Sequence, residues 1–163
     1  MVYSHLETPI GDLLLAGEGE KLKILHFVDG DEELEAPWQR SDEAFSKVRR
    51  QLLEYFAGTR AHFDLALAPE ATPFQAKVLD ALLQIPYGDT CSYSDIARTI
   101  GKPKAVRAVG GANGSNPIAI IIPCHRVVGA DGSLTGFAGG LERKRYLLDL
   151  ECSHSGLFGV AAT

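Results

Sequence analysis

Cysteine is scarce in this chain of 163 residues: Cys91, Cys124 and Cys152 are the only three, and residues 1–90 hold none. An odd number without paired spacing gives neither a disulfide framework nor a thiolate metal site, and a reactive thiol persists best in a reducing compartment. Long apolar runs are missing as well. None approaches the roughly 20 residues that cross a bilayer, and the start MVYSHLETPIG has no basic segment leading into a hydrophobic one. A cytoplasmic protein without a membrane part is expected. What remains is globular: 45% apolar and 23% charged residues, enough chain for one ordinary domain or two small ones.

An excess of positive charge is absent too, the formal net charge being −5. The deficit is uneven. Residues 1–92 carry 8 Lys/Arg against 16 Asp/Glu, a balance of −8, whereas residues 93–150 carry 8 against 4, a balance of +4. The second half therefore suits a phosphate-bearing partner, although solvated surfaces of ordinary proteins reach similar balances.

From Met1 to about Ala68 the pattern is strands and turns. Val2–Leu6, Leu13–Ala16 and Leu22–Val28, separated by Pro9-Ile10-Gly11-Asp12 and Gly17-Glu18-Gly19, predict an antiparallel meander. Asp29–Pro37 reads as an acidic loop. Ser41 opens a helix with Phe45, Val48, Leu52, Leu53, Tyr55 and Phe56 at helical spacing and Gly58 beyond its end. Phe63–Leu67 alternates like a last strand. His5, His26 and His62 stand alone, so no metal is expected. After a linker at Pro69–Pro73 the second half turns helical. Phe74, Val78, Leu82 and Leu83 mark one helix; Ser94 would cap a second, Asp95–Ile100; Gly101-Lys102-Pro103 breaks before a third from Lys104. Helix, glycine-bearing turn, helix is the spacing of a helix-turn-helix. Small residues dominate its second helix, which leaves few side chains to read base edges. Leu141–Leu150 predicts a final helix with Glu151 at its end, and the residues after Cys152 read as a loose tail.

Ile118–Val128, IAIIIPCHRVV, carries Cys124 and His125 into an apolar setting. The run of isoleucines predicts an extended, buried backbone, and Pro123 keeps a helix from crossing the junction. A thiol of ordinary pKa, near 8.5 on the reference scale, is mostly protonated at neutral pH. His125 is the nearest base. On an extended segment the two side chains face opposite ways, so contact through a turn or a bridging water is expected, with a third group orienting the imidazole. On these residues alone, Cys124 as one more buried small hydrophobe stays open.

Pro123-Cys124-His125-Arg126-Val127-Val128 resembles the active-site signature of the O6-alkylguanine-DNA alkyltransferases. The likeness extends to Ser92-Tyr93, Lys102 to Ala112, Asn116-Pro117, Gly136 to Gly140 and Tyr146 to Glu151, nearly the whole second half in order. It is weak over the first half, where some relatives hold zinc through cysteines that this chain lacks. The resemblance implies an α+β protein: a small N-terminal antiparallel sheet with a helix over residues 1–70, then a mostly helical, winged-helix-like DNA-binding and alkyltransferase domain with the helix-turn-helix over 71–163.

It also implies irreversible, single-turnover transfer of an alkyl group from O6-alkylguanine, and from O4-alkylthymine as an open extension, to Cys124, with no cofactor. His125 would take the thiol proton through water, Glu151 orient the imidazole, Asn116 hold the active-site loop, and Tyr93 act on the phosphate beside the lesion and on guanine N3. Duplex DNA would be met through its minor groove by Tyr93, Ser94, Lys102, Ala105, Arg107 and Ala130, with Arg107 filling the space of the rotated nucleotide. Phe137 and Ala138 would wall the alkyl pocket, and the Val127 carbonyl would recognise the exocyclic amine of guanine. Many relatives carry tyrosine and serine where this chain has Phe137 and Ala138, so a side-chain hydrogen bond to the guanine oxygen is replaced, if at all, by a backbone amide. A monomer is implied, with cooperative assembly on DNA left open. Two other classes compete: a cysteine hydrolase, which would turn over, and a lesion-sensing binding module, in which the cysteine would be replaced.

Overall fold

The computed structural model describes residues 1–30 and 37–158. The chain divides into two compact units, Met1–Glu70 and Ala71–Thr163. Among the described residues, no helix is long and apolar enough to cross a membrane.

In the first unit β1 (Val2–Thr8), β2 (Gly11–Glu18) and β3 (Lys21–Val28) form the expected antiparallel meander. Two-residue turns at Pro9-Ile10 and Gly19-Glu20 set the register. A bulge lies at Ala16/Gly17. A side chain at Gly17 would lie 2.2 Å from the Lys21 carbonyl oxygen, so glycine is required there. A two-residue β4 (Gln39–Arg40) runs parallel to β1, giving the order β3-β2-β1-β4 and one parallel edge that periodicity had not suggested. A short 3₁₀ turn, Glu43–Phe45, leads into α1 (Ser46–Phe56). Its buried face, Val48, Gln51, Leu52, Tyr55 and Phe56, recurs every three or four residues. Fully burying a large apolar side chain such as Leu52 contributes about 1.5–3 kcal/mol.

The expected strand at Phe63–Leu67 does not form. Leu22 alone bridges to it, with Leu22 N–H on the Ala66 carbonyl (2.9 Å) and Ala68 N–H on the Leu22 carbonyl (2.8 Å). The buried Gln51 amide takes the place of a ladder: it donates to the Asp64 carbonyl (3.2 Å) and accepts from the Asp64 amide (2.9 Å). The acidic loop expected at Asp29–Pro37 falls mostly on 31–36, outside the described residues.

The second unit opens with α2 (Pro73–Leu82), where Thr72 and Gln75 form a reciprocal capping box and Pro73 takes the first helical position. The next helix, α3 (Tyr93–Thr99), is capped by Ser92 with Asp95, not by Ser94, which lies within its first turn. Ser92 has the extended backbone that a cap requires, while Ser94 is already helical. Past α3, Gly101 has φ +77, and the Gly101 and Lys102 amides return to the Arg98 and Ala97 carbonyls in a Schellman closure. The following helix, α4 (Val106–Gly114), starts two residues later than Lys104. Two-residue strands β5 (Cys91–Ser92) and β6 (Val127–Val128) pair in parallel. The last helix, α5 (Leu141–His154), passes Glu151 by most of a turn and continues as a 3₁₀ turn, Ser155–Phe158. The loose tail expected after Cys152 is thus helical through its first residues, and 159–163 lie outside the described residues.

Candidate functional site

The stretch before Cys124 is buried, as its composition demands, but it is not a strand. Every residue from Ile120 to Val128 is buried, and the backbone turns back on itself: Ile121 N–H on Ala119 O (2.7 Å), Ile122 N–H on Ile118 O (3.2 Å), Cys124 N–H on Ile122 O (2.8 Å). Ile120 has φ +71. A β-branched residue there is strained by about 1–3 kcal/mol, and such strain persists only where the surroundings over-determine it. Asn116 is one determinant. Its amide donates to the Ile122 carbonyl (2.8 Å) while its oxygen accepts from the Ile118 amide (3.0 Å), stapling the turn from within.

Cys124–Arg126 form a single 3₁₀ turn after Pro123, not extended backbone. Neighbouring side chains then diverge by about a third of a turn, not to opposite faces, so Cys124 and His125 are not separated by a sheet plane. Asn113, buried on α4, donates to the Cys124 carbonyl (3.4 Å).

His125 is wholly buried, and its Nε2 lies 2.7 Å from Glu151 Oε2. Arg126 engages the same carboxylate through a fork, Nε to Oε1 at 2.7 Å and Nη2 to Oε2 at 3.0 Å, and gives Nη1 to the Ile85 carbonyl at 2.7 Å. The guanidinium lies 5.7 Å from the Tyr87 ring centre. Burial alone would push the Glu151 carboxyl up, but the His125 contact and the Arg126 fork outweigh it and hold the group well below the usual carboxylate range. Burial pushes His125 down; Glu151 opposes this, while Arg126 and Lys144 reinforce it. A neutral imidazole facing a carboxylate carries its proton on Nε2. Nδ1 is left with its lone pair and no hydrogen-bond partner among the described residues, which makes it an available proton acceptor.

Burial also pushes the Cys124 thiol up, against an Asn116 hydrogen bond, the Lys144 charge and backbone amides. At rest the group is a thiol, and its proton must leave as it reacts. Lys144, on α5, is fully buried, its ammonium on the Val127 and Thr135 carbonyls at 2.6 Å each. Neither Lys144 nor the Arg126 fork was foreseen from sequence.

Cys124, His125, Asn116 and Glu151 therefore converge, with Val127 buried beside them. Tyr93 stands at the start of α3, its hydroxyl on Thr135. Phe137 is half-buried and Ala138 exposed on the loop before α5, and Ala130 is exposed in a tight turn closed by Gly129 N–H on Ser133 O (2.8 Å). Ser94 and Ala105 are half-buried, while Lys102 and Arg107 are exposed, Lys102 lying 5.5 Å over the Phe74 ring. These last four belong to the α3–α4 surface and not to the buried cluster.

The arrangement places a buried thiol next in sequence to a buried imidazole whose Nδ1 is unpartnered, with the Glu151 carboxylate held by His125 and Arg126. Residues 73–153 match the family model for the 6-O-methylguanine DNA methyltransferase DNA binding domain, and residues 1–69 match that for its ribonuclease-like domain. The chain belongs to the 6-O-methylguanine DNA methyltransferase family. It is similar to the methylated-DNA-protein-cysteine methyltransferase of Methanosarcina acetivorans, 54% identical over 94% of this chain and 99% of that protein. The crystal structure of Mycobacterium tuberculosis OGT in complex with DNA matches it with a TM-score of 0.89 at 51% identity, over 94% of each chain. An O6-methylguanine DNA methyltransferase structure from Methanococcus jannaschii matches with a TM-score of 0.65 at 31% identity, over 91% of this chain and 93% of that one.

Proposed function

We propose that Cys124 is the acceptor in this chain's reaction, DNA repair by transfer of an alkyl group from O6-alkylguanine to a protein cysteine, and that His125 is its base. The observation that carries the assignment is the state of the residue next to the thiol: Glu151 faces His125 Nε2 at 2.7 Å and leaves the buried Nδ1 unpartnered.

The stacked base hides its O6 substituent from a buried thiol, so the nucleotide has to rotate out of the duplex first. Arg107, exposed on the first turn of α4, would fill the vacated space. The same helix supports approach to the minor groove. A side chain added at Gly111 or Gly114 would meet nothing within 4 Å, so packing within the unit gives no reason for glycines that weaken the helix by about 1 kcal/mol each. Close contact with a partner surface gives one. Tyr93 would donate its hydroxyl to guanine N3; Ser94, Lys102, Ala105 and Ala130 would contact the sugar-phosphate backbone; Val127, Phe137 and Ala138 would border the alkyl group.

As the S–C bond forms, the C–O6 bond breaks in line and its electron pair leaves on the guanine. His125 Nδ1 receives the thiol proton, directly or through one water. The product is a thioether, a poor leaving group, so each molecule acts once. It works as a monomer in the cytoplasm, where reducing conditions keep Cys124 a thiol. Duplex DNA carrying labelled O6-methylguanine tests the assignment. Transfer should saturate at one methyl group per chain, on Cys124; label on Cys91 or Cys152, or continued turnover, overturns it.

A further inference from the structure

Thr135 lies outside the cluster around Cys124, yet three hydrogen bonds converge on it. The Tyr93 hydroxyl donates to the Thr135 carbonyl at 3.2 Å and accepts from the Thr135 hydroxyl at 3.1 Å. The buried Lys144 ammonium donates to the same carbonyl at 2.6 Å, and to Val127, three residues past the nucleophile, at 2.6 Å. The loop also runs close by the phenol: at Gly136, φ +44, an added side chain would be in van der Waals contact with the Tyr93 hydroxyl, at 3.5 Å. A continuous path of contacts thus runs from the start of α3 through Thr135 and Lys144 to the strand that follows Cys124.

We propose that Thr135 is a positioning residue for lesion recognition: its hydroxyl aims the Tyr93 phenol, and its carbonyl holds the phenolic proton until the extruded base arrives. The proposal rests on the reading that Tyr93 donates to that base. A phenol has one proton and two acceptor positions. In this structure Thr135 occupies the proton and one acceptor position, so the ring cannot swing freely. When an acceptor nitrogen of the base presents itself, the phenol proton can transfer its hydrogen bond to it while still accepting from Thr135. Accepting from one hydroxyl makes the phenol a stronger donor to the next group in the chain. The exchange leaves nothing orphaned, because the Thr135 carbonyl keeps its bond from Lys144. Specificity would follow from geometry: only a base that reaches the aimed phenol replaces the carbonyl as its acceptor.

The second-order rate constant for repair of O6-methylguanine in duplex DNA, with melting temperature in parallel, tests this on Thr135→Val, Thr135→Ser, Tyr93→Phe and the Thr135→Val/Tyr93→Phe pair. Valine keeps the shape and removes only the hydroxyl. Loss of one ordinary hydrogen bond should slow repair about three- to tenfold, serine should restore most of it, and in the Tyr93→Phe background valine should cost nothing further. An equal valine penalty in both backgrounds, or a serine variant as slow as the valine one, would assign Thr135 to loop packing and overturn the proposal. If Tyr93→Phe slows repair while Thr135→Val does not, Thr135 alone is wrong. If Tyr93→Phe repairs at the full rate, the reading of Tyr93 falls and takes the proposal with it.

Discussion

Replacing Glu151 by glutamine probes the charge arrangement most directly. The side chain keeps its shape, but the carboxylate that accepts two Arg126 bonds (2.7 and 3.0 Å) and faces His125 (2.7 Å) is gone. Arg126 is 7% exposed and Glu151 1%, so the guanidinium stays inside without its counter-charge, left with neutral partners: the amide oxygen, the Ile85 carbonyl and the Tyr87 ring. Removing one partner of a buried pair costs about 3–5 kcal/mol, a large part of a total stability of about 5–15 kcal/mol. Urea unfolding should show that loss in ΔG. Replacing both partners, Arg126→Met with Glu151→Leu, should recover most of it without recovering alkyl transfer, since His125 would still lack its orienting group. A positioned base contributes about 10²- to 10⁴-fold, so both variants should react with free O6-benzylguanine at least about 100-fold more slowly. The pH dependence carries a sign. Glu151 is held below its unfolded value of about 4.3, so its contribution is complete above that pH and fades as pH falls toward the folded value; the gap between wild type and Glu151→Gln should narrow only below about pH 4. A loss under about 1 kcal/mol at neutral pH would refute the reasoning, because the buried cation would then need no counter-charge.

Other outcomes are expected. Gly111→Ala should raise stability by about 0.5–1 kcal/mol, since a methyl there meets nothing, yet weaken binding to duplex DNA; a gain in both, by calorimetry and fluorescence anisotropy, would remove α4 from the interface. Arg107→Ala should slow repair in duplexes far more than reaction with free O6-benzylguanine, which requires no extrusion costing a few kcal/mol; equal loss on both would make Arg107 a residue of the fold. Burial holds His125 below its unfolded value of about 6.5, so the rate with free O6-benzylguanine should stay level from pH 8 to below 6.5 and then fall; a midpoint at or above 6.5 would contradict a buried neutral base. Alkylation adds volume to a packed site at Cys124, 6% exposed, and should lower the melting temperature by several degrees, overpacking costing about 1–3 kcal/mol; an unchanged midpoint would mean the space is preformed.

Legibility in the sequence followed how local the determinants are. The meander could be read because alternation and two-residue turns act over neighbouring positions, and α1 because Val48, Leu52 and Tyr55 share a face. Phe63–Leu67 misled because its alternation is real, but the Asp64 backbone bonds go to the Gln51 side chain 13 residues away in sequence, and the segment meets the sheet at Leu22 alone. Cys124, His125 and Glu151 were reached through the signature and its flanks. Lys144 was missed because a cation beside Glu142, Arg143 and Arg145 looks like a solvated helix face, and only the fold reveals that it turns inward onto two carbonyls; the Arg126 fork was missed because its carboxylate lies 25 residues away in sequence. Ile120 is the opposite case. Isoleucine disfavours φ +71 more than most residues, so no pattern of preferences could point to a turn there.

On the assignment of Cys124 and His125 proposed above, the missed cations explain how a buried thiol reacts. Before reaction Arg126 balances Glu151, His125 is neutral, and Lys144 is the remaining charge, softened by burial and by two carbonyls. Moving the proton from Cys124 to His125 creates two new charges in a place where isolated ones are prohibitive. Each appears where an opposite charge already acts: the thiolate in the field of Lys144, which favours it, and the imidazolium against Glu151. The site thus disfavours the thiolate until a base can take its proton, then compensates both products of the transfer without reorganising, which is how a preorganised environment lowers a barrier. Once the sulfur carries an alkyl group it can no longer ionise, so Lys144 is back on its two carbonyls with no anion beside it, as in the resting thiol form, and the field that favoured the thiolate has nothing left to act on.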